Sequence, residues 1–239
     1  MTKHMSRAQK AELLALLEER ERRLSGRLID DLFPDDGPYR RELYERHMEF
    51  FRAGAEHRER LLLAGNRVGK SIAGGYEMAL HLTGEYPDWW EGRRFDEPIR
   101  ALAAGDTSQT TRDIIQHKLL GGLWDTPEWG TGIIPRDALE KPTTSRGIAN
   151  AYEEITVRHK TGGRSVLALR SYDQGRRIFQ GVELDVVWLD EEVPRDVYEE
   201  ALVRTMTTQG VVYMTFTPLQ GLTPLVVDFL ETRSQQEPV

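Results

Sequence analysis

The sequence predicts an α/β fold, with a mainly parallel central sheet flanked by helices. Short apolar runs of strand length alternate with helical patterns along the chain, as expected of parallel strands joined by helical crossovers. Two of these runs end in turns with chemically active side chains, about 120 residues apart, and open α/β sheets bind ligands at such strand ends. The chain has 239 residues, enough for one well-buried α/β domain and short for two.

Hydrophobic periodicity and turn signals predict the individual elements. Buried strands are predicted over residues 61–64, 99–104, 184–189 and 211–216. A hairpin at the edge of the sheet is predicted to join residues 152–159 to 165–170 through a turn with two glycines. Helices are predicted over residues 6–25, 43–54, 71–82, 108–119 and 194–206. Residues 121–149, with their Trp, Pro and Gly, predict an irregular excursion.

Residues 61–71, LLLAGNRVGKS, combine an apolar strand with a glycine-bearing loop and the start of a helix. Backbone N–H groups of such a loop, together with the positive end of the helix, form a concave site for polyphosphate. The sequence therefore predicts a phosphate-binding P-loop. Its candidate ligand-binding residues are Gly65, Asn66, Arg67, Val68, Gly69, Lys70 and Ser71.

Two side chains of this loop carry the predicted chemistry. Lys70 would reach the β- and γ-phosphates of a nucleotide, and we expect it to be exposed without ligand. Ser71 would bind Mg²⁺ through its hydroxyl. The strict pattern G-x-x-x-x-G-K-[ST] is not met, because Ala64 stands where the first glycine belongs. A glycine-rich turn without a ligand is therefore the alternative.

Residues 183–192, ELDVVWLDEE, form a second predicted element, a buried strand that ends in carboxylates. This is the form of a Walker B element. Asp190 would hold the Mg²⁺ shell, and Glu191 would orient and deprotonate the attacking water. An acidic turn exposed to solvent is the alternative for these carboxylates taken alone. The P-loop and this element together predict a nucleotide-hydrolysing site, because both lie at the carboxyl ends of strands.

Composition excludes several other kinds of site. The chain has no cysteine, which excludes disulfides and thiolate chemistry, and its six histidines form no ligand-spaced cluster. No apolar run approaches the ~20 residues that cross a bilayer, and we expect a soluble, cytoplasmic protein.

The net charge of −7 does not suit a chain that binds nucleic acid over its whole surface. Residues 158–177 carry six basic side chains against one acid, which a solvated surface or contact with DNA would explain.

The P-loop, the acidic strand and the strand end at residues 215–218, TFTP, together resemble the N-terminal ATPase domain of tailed-bacteriophage terminase large subunits. The resemblance spans roughly residues 30–230. In that family the loop often departs from the glycine pattern and holds an arginine, as at Arg67 here, and the acidic strand ends in an Asp-Glu pair. The resemblance implies ATP and Mg²⁺ as cofactors and a P-loop NTPase fold of the additional-strand, catalytic-glutamate type. It also implies that Thr215 and Thr217 sense the γ-phosphate.

The resemblance implies an adenine contact upstream of the P-loop. Members of the family use a short helical stretch there, commonly with a glutamine. Tyr44 and His47 lie at that place, with His47 instead of the glutamine. A half-buried helix histidine satisfied by a neighbour is the alternative for His47.

The resemblance further implies an arginine supplied by the adjacent subunit of a ring. A positive charge delivered to the developing γ-phosphate charge is worth about 10³- to 10⁵-fold in rate. Arg176 and Arg177, shortly before the acidic strand, are the main candidates. The competing candidates, each with a surface role as its alternative, are Arg112, Arg146 and Arg158, with Arg67 as a candidate within the same subunit.

A DNA-packaging ATPase is the function that the resemblance implies. We expect residues 1–36 to form an N-terminal helical extension and residues 37–239 to form the P-loop ATPase domain. The nuclease domain of the family is expected to be absent, because no later acidic cluster follows. The implied work is translocation of double-stranded DNA into a procapsid by subunits associated in a ring. The portal, the procapsid and the small terminase subunit are further implied partners, and no membrane is involved.

Two other functions would use the same core elements. A helicase or remodelling ATPase would need a second motor domain or a strand-separating pin, and the chain is too short for the former. A nucleotide-dependent assembly switch would bind ATP and hydrolyse it negligibly. Glu191 disfavours the switch, because a site that only binds has no need of a carboxylate that activates water.

Overall fold

A mainly parallel sheet forms the centre of the protein. The computed structural model describes residues 10, 13–14, 16–17, 21, 26–179, 181–218, 221 and 223–236. Within these residues the strands are β1 (Glu59–Leu63), β2 (Arg100–Gly105), β3 (Thr143–Thr144), β4 (Tyr152–Arg158), β5 (Arg164–Ser171), β6 (Val186–Asp190) and β7 (Val211–Phe216). Their order is β1-β7-β6-β2-β5-β4-β3. The first five strands in this order are parallel, β4 and β3 join by antiparallel pairing, and the predicted sheet is confirmed.

Helices connect these strands. They are α1 (Leu28–Asp31), α2 (Glu45–Ala53), α3 (Lys70–Thr83), α4 (Ser108–Thr110), α5 (His117–Leu120), α6 (Arg195–Met206) and α7 (Pro224–Gln236). Shorter 3₁₀ segments cover Arg41–Tyr44, Tyr172–Gln174 and Arg176–Phe179. A π-helix, Thr111–Gln116, joins α4 to α5. No helix in the described ranges combines the length and apolarity needed to span a bilayer.

The predicted helices agree with α2, α3, the α4-to-α5 segment and α6 to within a few residues. The π-helical middle of the α4-to-α5 segment was not predicted, because a single π turn leaves the apolar periodicity almost unchanged. The predicted helix over residues 6–25 lies mostly outside the described residues. Helix α4 begins at a capping box in which the side chains of Thr107 and Thr110 each accept from the other's backbone N–H.

The sheet separates two hydrophobic cores, because side chains alternate between the two faces of a strand. On one face, Ala103, Trp188 and Tyr213 pack with α3 and α5. On the other face, Leu102 and Leu189 pack with α6 and α7. The prediction of helices on both faces of the sheet is therefore confirmed.

The antiparallel part of the sheet contains the predicted hairpin. Strands β4 and β5 pair through a turn in which Gly162 and Gly163 have φ values of 92° and 86°, a conformation that favours glycine. The two-residue strand β3, from the segment predicted to be irregular, pairs with β4 on its outer side. The short strand β3 therefore lies between the hairpin and the edge of the sheet, whereas the hairpin itself was predicted at the edge.

Side chains that precede residue 37 pack into the core. Ile29 and Phe33 are buried, and the Phe33 ring centroid lies 5.5 Å from that of Phe51 and 5.1 Å from that of Tyr76. Phe51 belongs to α2 and Tyr76 to α3. The segment around α1 therefore covers the outer side of these two helices.

A buried ion pair ties β1 to α3 beneath the P-loop. Arg60 Nη2 lies 2.5 Å from Glu77 Oε1, and both side chains are almost fully buried. Arg60 also donates to the Phe50 carbonyl of α2 at 2.9 Å, and His81 Nε2 lies 3.2 Å from Glu77 Oε1. Burial opposes ionisation of Glu77 and is the largest single influence on it, but the charge of Arg60 and the hydrogen bonds from His81 and Arg60 together keep the Glu77 pKa below its ordinary value. One guanidinium thus joins α2, β1 and α3.

Replacing Arg60 by Met keeps the length of the side chain but leaves the Glu77 carboxylate buried without its cation. We expect the free energy of unfolding to fall by about 3–5 kcal/mol, the usual cost of breaking a buried pair. Arg46→Met removes an exposed pair with Glu49 and should change the free energy by less than about 1 kcal/mol. Denaturant unfolding measures both variants, and equal losses would show that the buried pair has no special role.

Candidate functional site

The predicted P-loop lies between β1 and α3, at the carboxyl edge of the parallel strands. Arg67 and Gly69 take positive φ values of 62° and 86° and turn the chain into the first turn of α3. Ala64 and Gly65 are not among the residues with positive φ. The missing first glycine of the strict pattern is therefore tolerated, because an alanine can adopt the backbone conformation at position 64.

Lys70 folds back across the loop. Its Nζ donates to the Gly65 carbonyl at 2.7 Å, and the residue is only 7% exposed. The expectation that Lys70 would be exposed without ligand was wrong. The Gly65 carbonyl serves as an acceptor for this ammonium group, since a buried N–H group needs a hydrogen-bond acceptor.

The carboxylate of Asp190 is the point where the separate elements of the site meet. It lies at the end of β6 and is 2% exposed. Its Oδ1 accepts the hydroxyl of Ser71 from α3 at 3.1 Å and the hydroxyl of Thr215 from β7 at 2.6 Å. The structure therefore brings the start of α3, the acidic strand and the TFTP strand end together.

The charge of Asp190 is costly in the absence of a cation. Burial raises its pKa to about 6, even though the hydroxyl groups of Thr215 and Ser71 both favour the ionised form. The neighbouring charge of Glu191 raises the pKa further, and that of Lys118 lowers it. A cation beside the carboxylate would remove much of this cost, because opposite charge favours ionisation.

Glu191 has an unusual backbone conformation. Its φ is 67°, a region that costs a non-glycine residue on the order of 1–3 kcal/mol and that is concentrated at functional sites. Its N–H donates to the Thr215 carbonyl at 3.0 Å, which continues the pairing of β6 with β7 and holds the turn. Its side chain is partly exposed, so water can reach the carboxylate.

The end of β7 also contacts the loop directly. The hydroxyl of Thr217 donates to Asn66 Oδ1 at 2.9 Å. Asn66 is exposed and Thr217 partly exposed, so this hydrogen bond lies at the surface of the loop. The structure thus places a side chain of the strand end against the predicted phosphate site.

Of the two predicted adenine contacts, His47 lies nearer the loop. It belongs to α2 and is 8% exposed, and its Nε2 lies 3.5 Å from the place a Cβ on Gly69 would take. Burial lowers its pKa, and the charge of Lys70 acts in the same direction. Within the described part of the chain, Nε2 has no partner of regular hydrogen-bond geometry, although the backbone of Val68 borders the ring. Tyr44 packs edge-on against His47 at 5.5 Å between centroids.

A groove of about 1820 Å³ runs from this part of the loop along the outer edge of β1. Its walls come from α2 on one side and from α6 and α7 on the other. Tyr44, His47, Arg67 and Gly69 line the end of the groove at the loop. The groove therefore leaves room for a nucleotide base beside the predicted phosphate site.

The candidate arginines fall into two groups. Arg112 donates to the Ala149 carbonyl and Arg158 to the Asp137 carbonyl, so these two side chains hold neighbouring loops. The turn Arg176–Phe179 packs against α6. The candidates that are exposed and whose side chains make no hydrogen bond within the described residues are Arg67, Arg146, Arg176 and Arg177. The side chains of the second group can therefore reach a ligand or another subunit without breaking a hydrogen bond to the described residues.

Two residues near Asp190 were not identified from the sequence. The hydroxyl of Tyr172 lies 2.9 Å from the Asp190 carbonyl and 3.1 Å from that of Ala104, which joins the carboxyl ends of β6 and β2. The indole N–H of Trp188 donates to the Thr215 hydroxyl at 2.8 Å. The period of two in a strand places Trp188 and Asp190 on the same face, and this signal could have identified Trp188.

Solved structures with a similar fold include large terminases of two bacteriophages. The large terminase of bacteriophage HK97 matches with a TM-score of 0.54 at 11% identity, over 91% of this chain and 42% of that one. The large terminase of a thermophilic bacteriophage matches with a TM-score of 0.50 at 10% identity, over 92% of this chain and 43% of that one. At these identities the likeness shows the fold, and the predicted α/β fold with a mainly parallel sheet is confirmed.

Sequence comparison gives the family. The chain is 34% identical over 253 residues to the terminase large subunit of Salmonella phage P22, covering 99% of this chain and 49% of that protein. The chain thus spans about half the length of this curated relative. The family model described as terminase large subunit, T4likevirus-type, N-terminal, matches residues 61–239. The chain therefore belongs to the terminase large subunit family and corresponds to its N-terminal part.

Proposed function

We propose that this chain hydrolyses ATP with Mg²⁺ as the motor domain of a terminase large subunit and so drives double-stranded DNA into a procapsid. The observation that carries the proposal is the Asp190 carboxylate, which receives hydroxyl groups from the P-loop helix and from the strand end. Membership of the family supports DNA packaging as the work. Association into a ring, contacts with the portal and small subunit, and a location in the cytoplasm of the infected cell belong to the same proposal.

The proposed chemistry rests on positioning and electrostatics. Lys70 would exchange the Gly65 carbonyl for oxygens of the β- and γ-phosphates. The loop N–H groups and the N-terminus of α3 would bind the remaining phosphate oxygens. Glu191 would accept the proton of the attacking water. Thr217, which touches Asn66 beside the phosphate site, would register the loss of the γ-phosphate.

Ser71 and Asp190 fit a magnesium ion. Hydroxyl and carboxylate oxygens are the hard donors that Mg²⁺ prefers, and it usually takes only one or two protein ligands beside phosphates and waters. The two side chains are already in contact at 3.1 Å. Burial raises the pKa of Asp190, and a cation beside the carboxylate would favour its ionised form. When bound, Mg²⁺ would neutralise charge on the phosphates.

Tyr44 and His47 would border the adenine. Both line the groove where it meets the loop, and the imidazole of His47 provides polar ring nitrogens there. Arg176 and Arg177 would reach the site of a neighbouring subunit, because both are exposed and their side chains carry no internal hydrogen bond within the described chain.

Glu191→Gln separates catalysis from binding. We expect turnover of ATP to fall by about 10²-fold or more, the scale of a lost general base, with ATP affinity retained. Lys70→Ala should abolish turnover in a folded protein. Steady-state hydrolysis and nucleotide binding measure the two effects. If affinity falls in parallel with rate in Glu191→Gln, the carboxylate belongs to the metal shell, and negligible turnover in the wild type would favour the assembly switch.

Asp190→Asn should stabilise the nucleotide- and metal-free protein at neutral pH while abolishing ATP turnover. The pKa of Asp190 is raised to about 6, so the folded state holds a proton that the unfolded state has lost between pH ~4 and 6. The free energy of unfolding of the wild type therefore falls as pH rises through this window. Denaturant unfolding at pH 8 should favour the variant by up to about 3 kcal/mol, and the advantage should vanish near pH 4. A constant difference at both pH values would contradict the assignment.

Replacing both Arg176 and Arg177 by Ala tests an arginine supplied by a neighbouring subunit. We expect wild-type activity per subunit to rise with concentration, and the double variant to lose this rise without losing ATP affinity. Mixing the double variant with Glu191→Gln, each inactive alone, should restore turnover at interfaces that join an intact site to an intact arginine pair.

A matched control for the arginine experiment is Arg164→Ala. Arg164 is an exposed arginine of the hairpin that pairs with Glu140, and its loss should leave the concentration dependence unchanged. Mixed rings without restored turnover would rule out the arginine pair as the residues supplied in trans. Wild-type activity independent of concentration would point instead to Arg67 within the same subunit.

A further inference from the structure

A chain of hydrogen bonds runs from the hydrophobic core to the Asp190 carboxylate. The indole N–H of Trp188 donates to Thr215 Oγ1 at 2.8 Å, and Thr215 Oγ1 donates to Asp190 Oδ1 at 2.6 Å. Trp188 and Thr215 are both completely buried. Neither residue can exchange its partner for water, so the chain is a fixed part of the interior.

The direction of every hydrogen bond in this chain is determined by the chemistry of its first member. An indole N–H can only donate, whereas a threonine hydroxyl has one proton and two acceptor lone pairs. Thr215 must therefore accept from Trp188, which leaves its single proton for Asp190. An ionised carboxylate is the matching acceptor. Trp188 thus compels the Thr215 hydroxyl to donate to Oδ1.

The indole is held in place from both sides. Its ring stacks on that of Tyr213, with 6.4 Å between centroids and 17° between planes. On the other side it lies against Gly74 of α3, where a Cβ would overlap the ring. The hydroxyl of Tyr213 donates to the Gly74 carbonyl at 2.9 Å. A glycine is required at position 74 by this close approach, and the indole cannot rotate away from Thr215.

The two hydrogen bonds that reach the carboxylate both end on Oδ1, one from Thr215 and one from Ser71. Among the described residues, none donates to Oδ2. We propose that Trp188 is a positioning residue for the proposed metal site: through Thr215 it fixes the Asp190 carboxylate by Oδ1 and leaves Oδ2 as the oxygen for Mg²⁺ and its waters. This inference rests on the proposed function.

The same geometry gives Thr215 a role different from that of Thr217. The single proton of the Thr215 hydroxyl is already used, because the hydroxyl accepts from Trp188 and donates this proton to Asp190. It has no proton left for a γ-phosphate oxygen. Thr215 therefore acts on the site through the carboxylate, and Thr217 is the hydroxyl of the strand end that lies against the loop.

Proton NMR of the indole groups tests this chain of hydrogen bonds without a measurement of ATP turnover. The protein has five tryptophans, and the Trp188 indole N–H resonance is the one that Trp188→Phe removes. In Thr215→Val, which keeps the shape but lacks the hydroxyl, this resonance should move upfield because its hydrogen bond is lost. Addition of Mg²⁺ with ADP should shift the Trp188 resonance in the wild type and not in Thr215→Val. An unchanged Trp188 resonance in Thr215→Val would overturn the proposal.

The dependence of ATP turnover on free Mg²⁺ tests the consequence for the metal. Loss of the groups that orient a metal ligand typically costs 10- to 100-fold in metal affinity or activity. Half-maximal free Mg²⁺ should rise at least about tenfold in Thr215→Val and in Trp188→Phe, with most of the maximal rate recovered at high Mg²⁺. Thr215→Ser restores the hydroxyl and should restore the wild-type requirement.

The matched control is Trp90→Phe. Trp90 is buried, and its indole N–H donates to the Arg93 carbonyl at 2.9 Å, so the variant loses an equivalent hydrogen bond away from Asp190. Its Mg²⁺ requirement should stay that of the wild type. An equal rise in Trp90→Phe would show a general loss of packing and overturn the proposal, as would a wild-type Mg²⁺ requirement in Thr215→Val.

Failure of the proposed function has a separate signature. If the wild type shows no ATP turnover, the ATPase proposal fails while the positioning proposal is decided by calorimetry of Mg²⁺ binding in the presence of ADP. Weaker Mg²⁺ binding in Thr215→Val than in Thr215→Ser supports the role of the hydrogen bonds from Trp188 through Thr215 to Asp190. Equal binding in the two variants overturns it. If Trp188→Phe does not fold, Thr215→Val tests the same hydrogen bond from its other end.

Discussion

The site depends on one buried carboxylate. Asp190 ends β6 inside the protein, where an ionised group is expensive unless hydrogen bonds or a cation compensate it. Hydroxyl groups from α3 and β7 meet on one of its oxygens. This requirement fixes the relative positions of the P-loop helix, the acidic strand and the TFTP strand end. It also leaves the carboxylate with a pKa raised by burial, which the proposed Mg²⁺ would offset because opposite charge favours ionisation.

Helix α3 is the rigid member of this arrangement. Its first turn reaches Asp190 through Ser71, its second turn packs Gly74 against the Trp188 indole, and its third turn carries Glu77 into the ion pair with Arg60. Three different interactions thus fix the helix along its length, and two of them lie in the dry interior. The N-terminus of the helix, where phosphate is proposed to bind, is therefore held at a constant position relative to the sheet.

The sequence was sufficient for the fold because its signals were local. Apolar runs, glycine turns and capping residues predicted six strands and four helical segments to within a few residues, and strand ends indicated the edge of the sheet where the site lies. Strand β3 and helix α7 were not predicted. The structure brings the predicted P-loop, Asp190 and the strand end at residues 215–218 together. The burial of Lys70 was not predicted, because motif reasoning describes the ligand-bound lysine and ignores the acceptors that the loop offers without ligand.

The contact of Trp188 with Thr215 and the Arg60–Glu77 pair could not be predicted from the sequence, for a different reason. Both are side-chain contacts between elements distant in the chain, and no periodicity says which buried residue faces which. A tryptophan in an apolar strand and an acid in an apolar helix each have a simple local explanation. Only the order β1-β7-β6 in the sheet shows that Trp188 has Thr215 on the neighbouring strand.

If the proposed function holds, ligand binding breaks hydrogen bonds at the loop and leaves those of the interior intact. Lys70 would leave the Gly65 carbonyl, and the partly exposed contact of Thr217 with Asn66 can open at little cost because water can replace it. The hydrogen bond from Trp188 to Thr215 has no such replacement, since both groups are completely buried. Displacement on nucleotide binding should therefore concentrate in the loop and at residue 217, while the carboxylate of Asp190 stays in place. The proposed motor would benefit from this division, because its catalytic geometry would be rebuilt from a fixed frame at each turnover.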